Sequence, residues 1–279
     1  MKTPAEILDE AMAHKPVATR VGFSGGRDSL AVTHWMMSNV PGCEVFHCNT
    51  GIGIEATRQF VRDTCAAMGW PLHEIRAKED CGQDYDEIVM LNGFPGPSGH
   101  WAMYARLKER PIRELVRRAQ TKRGDRVLLA TGIRHEESVR RMRYAGSEVT
   151  RSGAQVWASP IYWWSVEQRD AYIRDNGLPV NPVSAMLGMS GECLCGAYAH
   201  RGEKALVRIV DAATADRIDR LEQRAVDAGF TWGWEGKPPP GGRNPAQIDM
   251  LRMPLCVGCE KVHLEHNARH KPTREAGSA

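Results

Sequence analysis

The chain has 279 residues, of which 42% are hydrophobic and 25% are charged, and its formal net charge is +3. This length allows one large domain or one domain with an appendage, and the apolar fraction is enough for a sizeable core. No apolar run approaches a membrane span, and the charged residues 1–15 are unlike a signal peptide, so we expect a cytoplasmic protein without a membrane partner. The net charge is too small to indicate nucleic acid as a partner, although it does not exclude one.

In the first two thirds of the chain, strand-like and helical patterns alternate. This alternation predicts an α/β fold with a Rossmann-like, doubly wound and mostly parallel sheet. Strands are predicted at residues 17–23, 43–49, 71–76, 126–131 and 156–161, helices at 5–14, 29–39, 54–68, 101–109, 111–120 and 166–176, and a long loop at 79–100.

The composition changes at about residue 179. A loop at residues 181–182, one long helix at 203–228 and a stretch rich in Gly and Pro at 232–242 are predicted there. We therefore expect two regions, a nucleotide-binding α/β domain at residues 1–180 and a helical, metal-binding C-terminal region at 181–279.

A short polar stretch follows the first predicted strand and precedes the first helix. Glycines allow the backbone to turn sharply and to approach a phosphate, and the N-terminus of a helix favours negative charge. Serine hydroxyls and an arginine add donors, so the stretch predicts a nucleotide phosphate site; the simpler alternative is a strand-to-helix turn with a serine cap. The residues are Ser24, Gly25, Gly26, Arg27, Asp28 and Ser29.

A second glycine-containing stretch gives an alternative nucleotide site. Gly51-Ile52-Gly53-Ile54-Glu55-Ala56 fits the dinucleotide fingerprint, and Glu74 follows at about the distance expected for a ribose contact. An NAD-type site at residues 51–56 is therefore an alternative that the structure can test. A Walker loop is not indicated, because the only Gly-Lys pair is followed by three prolines.

Three motifs, in the expected order, resemble those of one known superfamily. Residues 24–29 resemble the pyrophosphate loop of the ATP-pyrophosphatase superfamily. Residues 131–141, Thr-Gly-Ile-Arg-His-Glu-Glu-Ser-Val-Arg-Arg, resemble the signature of its phosphoadenosine phosphosulfate (PAPS) reductase branch. Residues 160–164, Pro-Ile-Tyr-Trp-Trp, resemble the substrate-side segment of that branch. The resemblance covers roughly residues 17–200. Within this superfamily, the chain is similar to DNA-phosphorothioation sulfurtransferases.

The resemblance implies a Rossmann-like sheet that holds an adenine nucleotide with its phosphates on the first loop. Asn49-Thr50-Gly51 matches the end of the family's second strand, usually Asp-Thr-Gly, which weakens the dinucleotide alternative. The neutral Asn49 puts a metal or ribose role at that position in doubt. The remaining predicted nucleotide contacts are Thr131, Gly132 and Arg134. Further arginines that could neutralise phosphate or sulfate, or could form a solvated basic face, are Arg140, Arg141 and Arg143.

Two residues of the first loop discriminate between activities within the family. Members that cleave ATP usually carry Ser-Gly-Gly-x-Asp-Ser, whereas sulfonucleotide reductases often lose the last two residues, and this chain keeps Asp28 and Ser29. The resemblance therefore implies an ATP-dependent adenylating enzyme of sulfur transfer, with ATP and Mg²⁺ as cofactors and Asp28, Arg134 and Arg140 in catalysis. The alternatives are a PAPS or adenylyl-sulfate reductase and a nucleotide-binding subunit without turnover.

Four late cysteines occur as two pairs. In a cytosolic protein such pairs indicate metal or redox chemistry before structural disulfides. A [4Fe-4S] cluster is the first hypothesis, because reductases and sulfurtransferases of this neighbourhood carry one; Zn²⁺ and unligated thiols remain open. The predicted ligands are Cys193, Cys195, Cys256 and Cys259. The sulfur donor and acceptor cannot be derived from the sequence, which is compatible with a homodimer or with a subunit of a complex.

Overall fold

The computed structural model describes residues 1–136 and 147–236. One six-stranded sheet runs through the molecule in the order β3-β2-β1-β4-β6-β5. All pairs are parallel except β5 with β6, which is antiparallel. The strands are β1 Ala18–Gly22, β2 Glu44–Asn49, β3 Leu72–Arg76, β4 Val127–Ala130, β5 Val149–Ser152 and β6 Gln155–Ala158.

Helices cover both faces of this sheet, so the predicted α/β fold with a mostly parallel sheet is confirmed. A 3₁₀ turn at Pro97–Gly99 and a π-helical segment at Ala105–Glu109 flank α6. The helices are α1 Pro4–Met12, α2 Arg27–Asn39, α3 Glu55–Ala67, α4 Ala77–Cys81, α5 Tyr85–Asn92, α6 His100–Tyr104, α7 Arg110–Ala119, α8 Val166–Asp175, α9 Pro182–Leu187, α10 Glu203–Val210 and α11 Ala212–Asp227.

The central strand β4 shows why the sequence forms a parallel sheet. All four of its residues are buried, as expected for a strand that helices cover on both faces. Leu129 packs in one cluster with Ile112 and Leu115 of α7, whereas Leu128 packs with Ile7 of α1 on the opposite face. The apolar residues of β4 therefore pack into the core on both faces of the sheet.

The long loop predicted at residues 79–100 is wrong. The segment forms α4, α5 and a 3₁₀ turn. A capping box starts α5, because Asp84 Oδ1 accepts from Glu87 N at 2.8 Å and Glu87 Oε2 accepts from Asp84 N at 3.0 Å. Gly and Asp residues in this stretch therefore mark helix ends.

The single helix predicted at residues 203–228 is also wrong, because α10 and α11 are separate. Asp211 lies between them in an extended conformation, with φ −151°. Its Oδ1 accepts from Ala213 N at 3.0 Å and from Thr214 N at 3.3 Å, and so caps α11. The edge strand β5 was not predicted either, because its exposed positions are polar and only Val149 is a buried apolar residue.

The helices after residue 181 share a core with the preceding part of the chain. One cluster joins Ile52 and Ile88 to Val183, Leu194 and Leu221. A helical, cysteine-bearing C-terminal region is thus present in the described residues up to 236, and the division at residue 180 stays a prediction. None of the helices described within 1–136 and 147–236 is long and apolar enough to span a membrane.

Candidate functional site

The candidate site lies where the strand order reverses. From β1 the chain moves outward to β2 and β3 and then returns to β4 on the other side of β1. Loops that leave the carboxyl ends of β1 and β4 therefore lie side by side at a topological switch point, where open α/β sheets bind ligands. These loops contain residues 24–26 and 131–134, two of the predicted motifs.

The loop after β1 is held by its own serines. Ser29 Oγ accepts from Ser24 N at 3.2 Å, donates to Gly26 O at 2.9 Å and lies 3.0 Å from Ser24 Oγ. Gly25 has φ +81°, and a Cβ there would lie 2.8 Å from Thr57 Cγ2, so glycine is needed both for the turn and for the packing. The hydroxyls thus fix the loop close to the start of α2.

The first turn of α2 follows this loop directly. The helix begins at Arg27, two residues earlier than predicted, and its N-cap Gly26 supplies no side-chain cap. The alternative of a serine-capped turn is therefore wrong for this helix. Backbone N–H groups at the start of a 13-residue helix attract anions together with the helix dipole.

Asp28 is clamped by two arginines that come from different elements. Its Oδ1 accepts from Arg134 Nε at 2.6 Å and from Arg169 Nη1 at 3.0 Å. Arg134 follows β4 and is 4% exposed, whereas Arg169 lies on α8 and is 9% exposed. Asp170 extends the chain of charges, since its Oδ1 lies 2.8 Å from Arg169 Nη2 and 3.6 Å from Arg27 Nη1. Positive charge is thereby concentrated at the first turn of α2.

Arg169 is a residue of this site that the sequence interpretation missed. A signal existed, because Arg169 precedes the buried Ile173 by one helical turn and therefore lies on the face of α8 that points inward. A charged residue on the buried face of a helix requires a partner. The identity of that partner, Asp28, depends on the tertiary structure.

Gly132 allows the loop after β4 to pass over the start of α2. A Cβ at this position would lie 2.6 Å from the backbone C and O of Asp28 and 2.9 Å from Ser29 N. The neighbouring Thr131 places its Oγ1 3.1 Å from Ser159 Oγ. The two residues predicted as nucleotide contacts therefore join the loops after β1, β4 and β6, and a nucleotide contact by either stays a prediction.

The segment after β2 is bound to the C-terminal region. Thr50 is fully buried, with its N donating to Glu192 Oε1 at 2.8 Å and its Oγ1 donating to Glu192 O at 2.7 Å. Asn49 accepts from Gly51 N at 3.0 Å and donates to Glu74 Oε1 at 2.6 Å. Asn49, Thr50 and Gly51 form a turn that anchors residue 192, and their predicted contact with a nucleotide stays untested.

The structure excludes the dinucleotide alternative at residues 51–56. A Cβ on Gly53 would lie 2.4 Å from Glu192 O, and Ile54 N donates to Gly191 O at 2.9 Å. Residues 191–192 therefore cover the start of α3, where the pyrophosphate of a dinucleotide would bind.

A separate open cavity of about 480 Å³ lies at the carboxyl ends of β2 and β3. Its basic and acidic side chains pair with one another: Arg62 Nη1 contacts Glu55 Oε1 at 2.6 Å, and Arg76 Nη1 contacts Glu79 Oε1 at 3.1 Å. The cavity is therefore lined by side chains of both charges.

Hydrogen bonds from two distant aromatic side chains hold the segment that contains Cys193 and Cys195. Tyr85 Oη donates to Cys195 O at 2.9 Å, and Trp234 Nε1 donates to Leu194 O at 2.6 Å. A hydrogen bond from the Cys195 thiol, assisted by the charge of Lys108, lowers the pKa of Cys193 to about 6, while the pKa of Cys195 is raised. The two cysteines lie two positions apart in the chain and are largely buried in this segment.

The cysteines of the first half behave differently. Burial raises the pKa of Cys43 and of Cys65 to about 12, as is typical of structural, unreactive thiols. Burial also raises the pKa of Cys48 to about 12, but Cys48 lies within electrostatic range of Lys108 and Cys193. It is therefore a neighbour of the C-terminal cysteine pair.

Part of the predicted site lies outside the described residues. Within residues 1–136 and 147–236, no group of three or more His, Cys, Asp or Glu side chains is arranged to hold a metal ion. Five predicted site residues lie outside the described ranges, and their predicted roles stay untested: Arg140, Arg141, Arg143, Cys256 and Cys259.

The fold is an α/β domain with two motif-bearing loops at its switch point. Residues 19–185 match the family model of the phosphoadenosine phosphosulfate reductase domain. This match covers more than half of the chain, and the protein belongs to that family. The predicted family membership is thereby confirmed.

Solved structures share the general arrangement at low similarity. The chain is 20% identical to phosphoadenylyl-sulfate (PAPS) reductase from Candida auris in a phosphate complex, with a TM-score of 0.49 over 66% of this chain and 84% of that chain. It is 15% identical to the U34-tRNA thiolase NcsA from Methanococcus maripaludis with its [4Fe-4S] cluster, with a TM-score of 0.40 over 90% of each chain. At these values neither likeness indicates what this chain binds. A comparison with curated proteins gives no match.

Proposed function

We propose that the protein is an ATP-dependent adenylating enzyme of sulfur transfer, in which ATP is cleaved between its α and β phosphates. The observation that carries this proposal is the geometry at the first turn of α2, where uncapped helix N–H groups lie next to the Arg134–Asp28–Arg169 clamp. Two arginines and a helix N-terminus suit a ligand with several negative charges better than a neutral one.

In this proposal the triphosphate occupies the loop formed by residues 24–29. The N–H groups of the first turn of α2, that of Ser29 among them, and the hydroxyl of Ser24 donate to phosphate oxygens, while the Ser29 hydroxyl holds the loop. Arg134 neutralises the charge that develops as pyrophosphate leaves, which is a form of electrostatic stabilisation fixed in advance by Asp28. Arg140 is proposed for the same role.

Asp28 fits a second role as a ligand of Mg²⁺. Both of its hydrogen bonds within the described residues end on Oδ1, and the carboxyl group is partly exposed. Magnesium is commonly bound by one or two carboxylates together with substrate phosphates. A bound Mg²⁺ would supply charge neutralisation between the phosphates.

The cysteines are proposed to hold a [4Fe-4S] cluster, with Zn²⁺ as the alternative. Cysteine thiolates are the usual ligands of such clusters, and the described residues contain half of the proposed set, the free cysteines Cys193 and Cys195. The other half would be Cys256 and Cys259. The bound cluster would supply a thiophilic site close to the acceptor.

A reductase remains the second candidate, because the family model that matches residues 19–185 is that of the PAPS reductase domain. In that case a cysteine thiolate would attack the sulfur of PAPS or adenylyl sulfate. Asp28 and Ser29 would then serve only to hold the loop and the two arginines.

The experiment compares two substrates on one preparation, purified without oxygen. The proposal predicts pyrophosphate release from Mg-ATP that Arg134→Gln abolishes. Sulfite release from PAPS with thioredoxin, without any reaction of ATP, would contradict it and support the reductase. Nucleotide binding without either product, under a range of acceptors, would support a subunit without turnover.

A further inference from the structure

The modest net charge of the chain conceals a strongly basic segment. Residues 106–123 contain eight Lys or Arg residues and two Glu, whereas the whole chain has a formal net charge of only +3. The rest of the chain is therefore net negative. Six of the eight basic residues are arginines, the side chain best suited to bidentate contacts with phosphate.

Four of these eight basic residues lie on α7, and three of them are strongly exposed. The side chains of Arg113, Arg117 and Arg118 are 66%, 72% and 52% exposed. The opposite face, with Ile112 and Leu115, is buried against the sheet. The helix thus presents its arginines outward and uses its apolar side for the core.

The acidic neighbours of this face are too few to neutralise it. Glu109 pairs with Arg113, and Glu114 contacts both Arg117 and Arg118. Asp80 of α4 also contacts Arg118, at 2.7 Å. Exposed ion pairs of this kind contribute about 0–1 kcal/mol, so a polyanion can replace them at little cost.

The basic face begins beside the cysteine pair. Lys108, in the π-helical segment, is close enough to Cys193 and Cys48 to influence both thiols electrostatically. At the start of α6, the ring of His100 lies 5.0 Å from that of Tyr198, three residues after Cys195. The helical stretch at residues 100–119 therefore leads from the cysteine region along the surface.

An exposed aromatic residue lies at the end of this stretch that is next to the cysteines. Trp101 is 72% exposed. Aromatic side chains next to a basic groove are typical of surfaces on which nucleobases stack, and each stacked base contributes about 1–3 kcal/mol.

The composition of the face distinguishes between classes of partner. A membrane-binding helix needs an exposed apolar side, but that side of α7 is buried in the core. A protein interface has an apolar centre, yet no large hydrophobic side chain is exposed at residues 105–123. Exposed arginines preceded by two exposed aromatic side chains, Trp101 and Tyr104, favour nucleic acid.

We propose that the face formed by Arg106, Arg110, Arg113, Arg117 and Arg118, together with Trp101, binds a nucleic-acid strand and directs it to the cysteine region. At about 1.5 Å per helical residue, the distance from Arg106 to Arg118 is about 18 Å, enough for about five phosphates of one strand. The acceptor of the sulfur-transfer reaction would then be a nucleic acid, a conclusion that rests on the proposed function.

The test measures binding of fluorescent 20-nucleotide RNA and DNA strands to the full chain as a function of salt. Arg113→Glu/Arg117→Glu should weaken binding at least tenfold and make the slope of log K against log salt less steep by about 1.4, because about 0.7 is lost per phosphate contact on a single strand. Trp101→Ala should weaken binding at least fivefold without changing the slope.

Arg174→Glu/Arg224→Glu is the matched control. Both arginines are exposed, at 73% and 58% of the side chain, and lie on α8 and α11, so the change in net charge is the same as in the test variant. The control should change affinity less than twofold. An equal loss in the two double variants, no binding by the wild type at 50 mM salt, or equally tight binding of polyglutamate or anionic vesicles would overturn the inference.

A separate readout keeps this inference distinct from the proposed function. Binding of Mg-ATP, titrated without nucleic acid, should be the same in Arg113→Glu/Arg117→Glu as in the wild type, because release of pyrophosphate needs the acceptor. Absence of ATP binding by the wild type, with nucleic-acid binding intact, would contradict the adenylating function and leave the binding surface standing. The reverse result would overturn the surface alone.

Discussion

At the scale of single residues, the site depends on charges that are buried in pairs. Arg134 and Arg169 are almost completely buried, and each is hydrogen-bonded to the same oxygen of Asp28. Removal of one charged partner leaves the remaining buried charges without full compensation. The resulting loss in the free energy of unfolding is larger than the net contribution of the hydrogen bond itself.

We predict that Arg169→Gln destabilises the protein by about 1.5–3 kcal/mol, the range for hydrogen bonds to charged groups. It should also weaken ATP binding, because Arg134 alone then has to hold Asp28. Denaturant unfolding and nucleotide titration measure the two effects. Arg174→Gln, an exposed arginine on the same helix, is the control; if the two variants behaved alike, the clamp would have no energetic role.

Gly132→Ala tests the close approach of the two loops. The new Cβ would meet the backbone of Asp28 at 2.6 Å, so the loop must shift, at a cost of about 1–3 kcal/mol. Gly96→Ala is the control, because that site has no heavy atom within 4 Å. Thermal unfolding should show a loss of stability for the first variant and little change for the second. An unchanged melting temperature for Gly132→Ala would contradict the packing described.

At the scale of elements, charged side chains join the edge of the sheet to α3. Arg62 of α3 donates from Nε to Glu74 Oε2 of β3 at 2.8 Å, and Asn49 of β2 donates to Oε1 of the same carboxylate. These hydrogen bonds, that of Arg62 above all, lower the pKa of Glu74 to about 2. Acid is therefore expected to weaken the contact between α3 and the edge of the sheet.

The lowered pKa of Glu74 predicts the direction in which the stability of the protein changes with pH. Because the pKa of Glu74 is lower in the folded state than its ordinary value near 4.5, its contribution is fully present above about pH 5 and is lost as the pH falls toward 2. Glu74→Gln should therefore be less stable than the wild type at pH 7, and the difference should shrink toward pH 2. Unfolding curves between pH 2 and 7 measure this, with the exposed Glu10→Gln as control. A difference independent of pH would refute the assignment.

The elements also show what local sequence can and cannot predict. Strands β1, β2 and β4 and helices α2 and α3 were predicted within about two residues, because apolar periodicity and glycine turns mark them clearly. The separation of α10 from α11 was missed because one aspartate, Asp211, interrupts an otherwise helical pattern. The strand β5 was missed because its exposed positions are polar, although it pairs with β6 in a tight hairpin.

At the scale of the whole molecule, the sequence placed two predicted motifs at the ends of strands but did not predict the contacts that connect the candidate site. The positions of residues 24–29 and 131–134 follow from the rule that ligands bind at the carboxyl ends of strands. The link between Thr50 and Glu192 joins residues 142 positions apart, and no local pattern predicts such a contact. The same limit applies to the neighbourhood of Cys48, Lys108 and Cys193, which only the folded chain brings together.

The most direct test of the central claim is a crystal structure of the full chain with Mg²⁺ and an ATP analogue that cannot be cleaved between its α and β phosphates. We predict phosphate oxygens within about 3 Å of the backbone N–H groups at the start of α2, the usual hydrogen-bond range, with Arg134 directed at the phosphates. Phosphates bound elsewhere, for example in the cavity beside β2 and β3, would contradict the account.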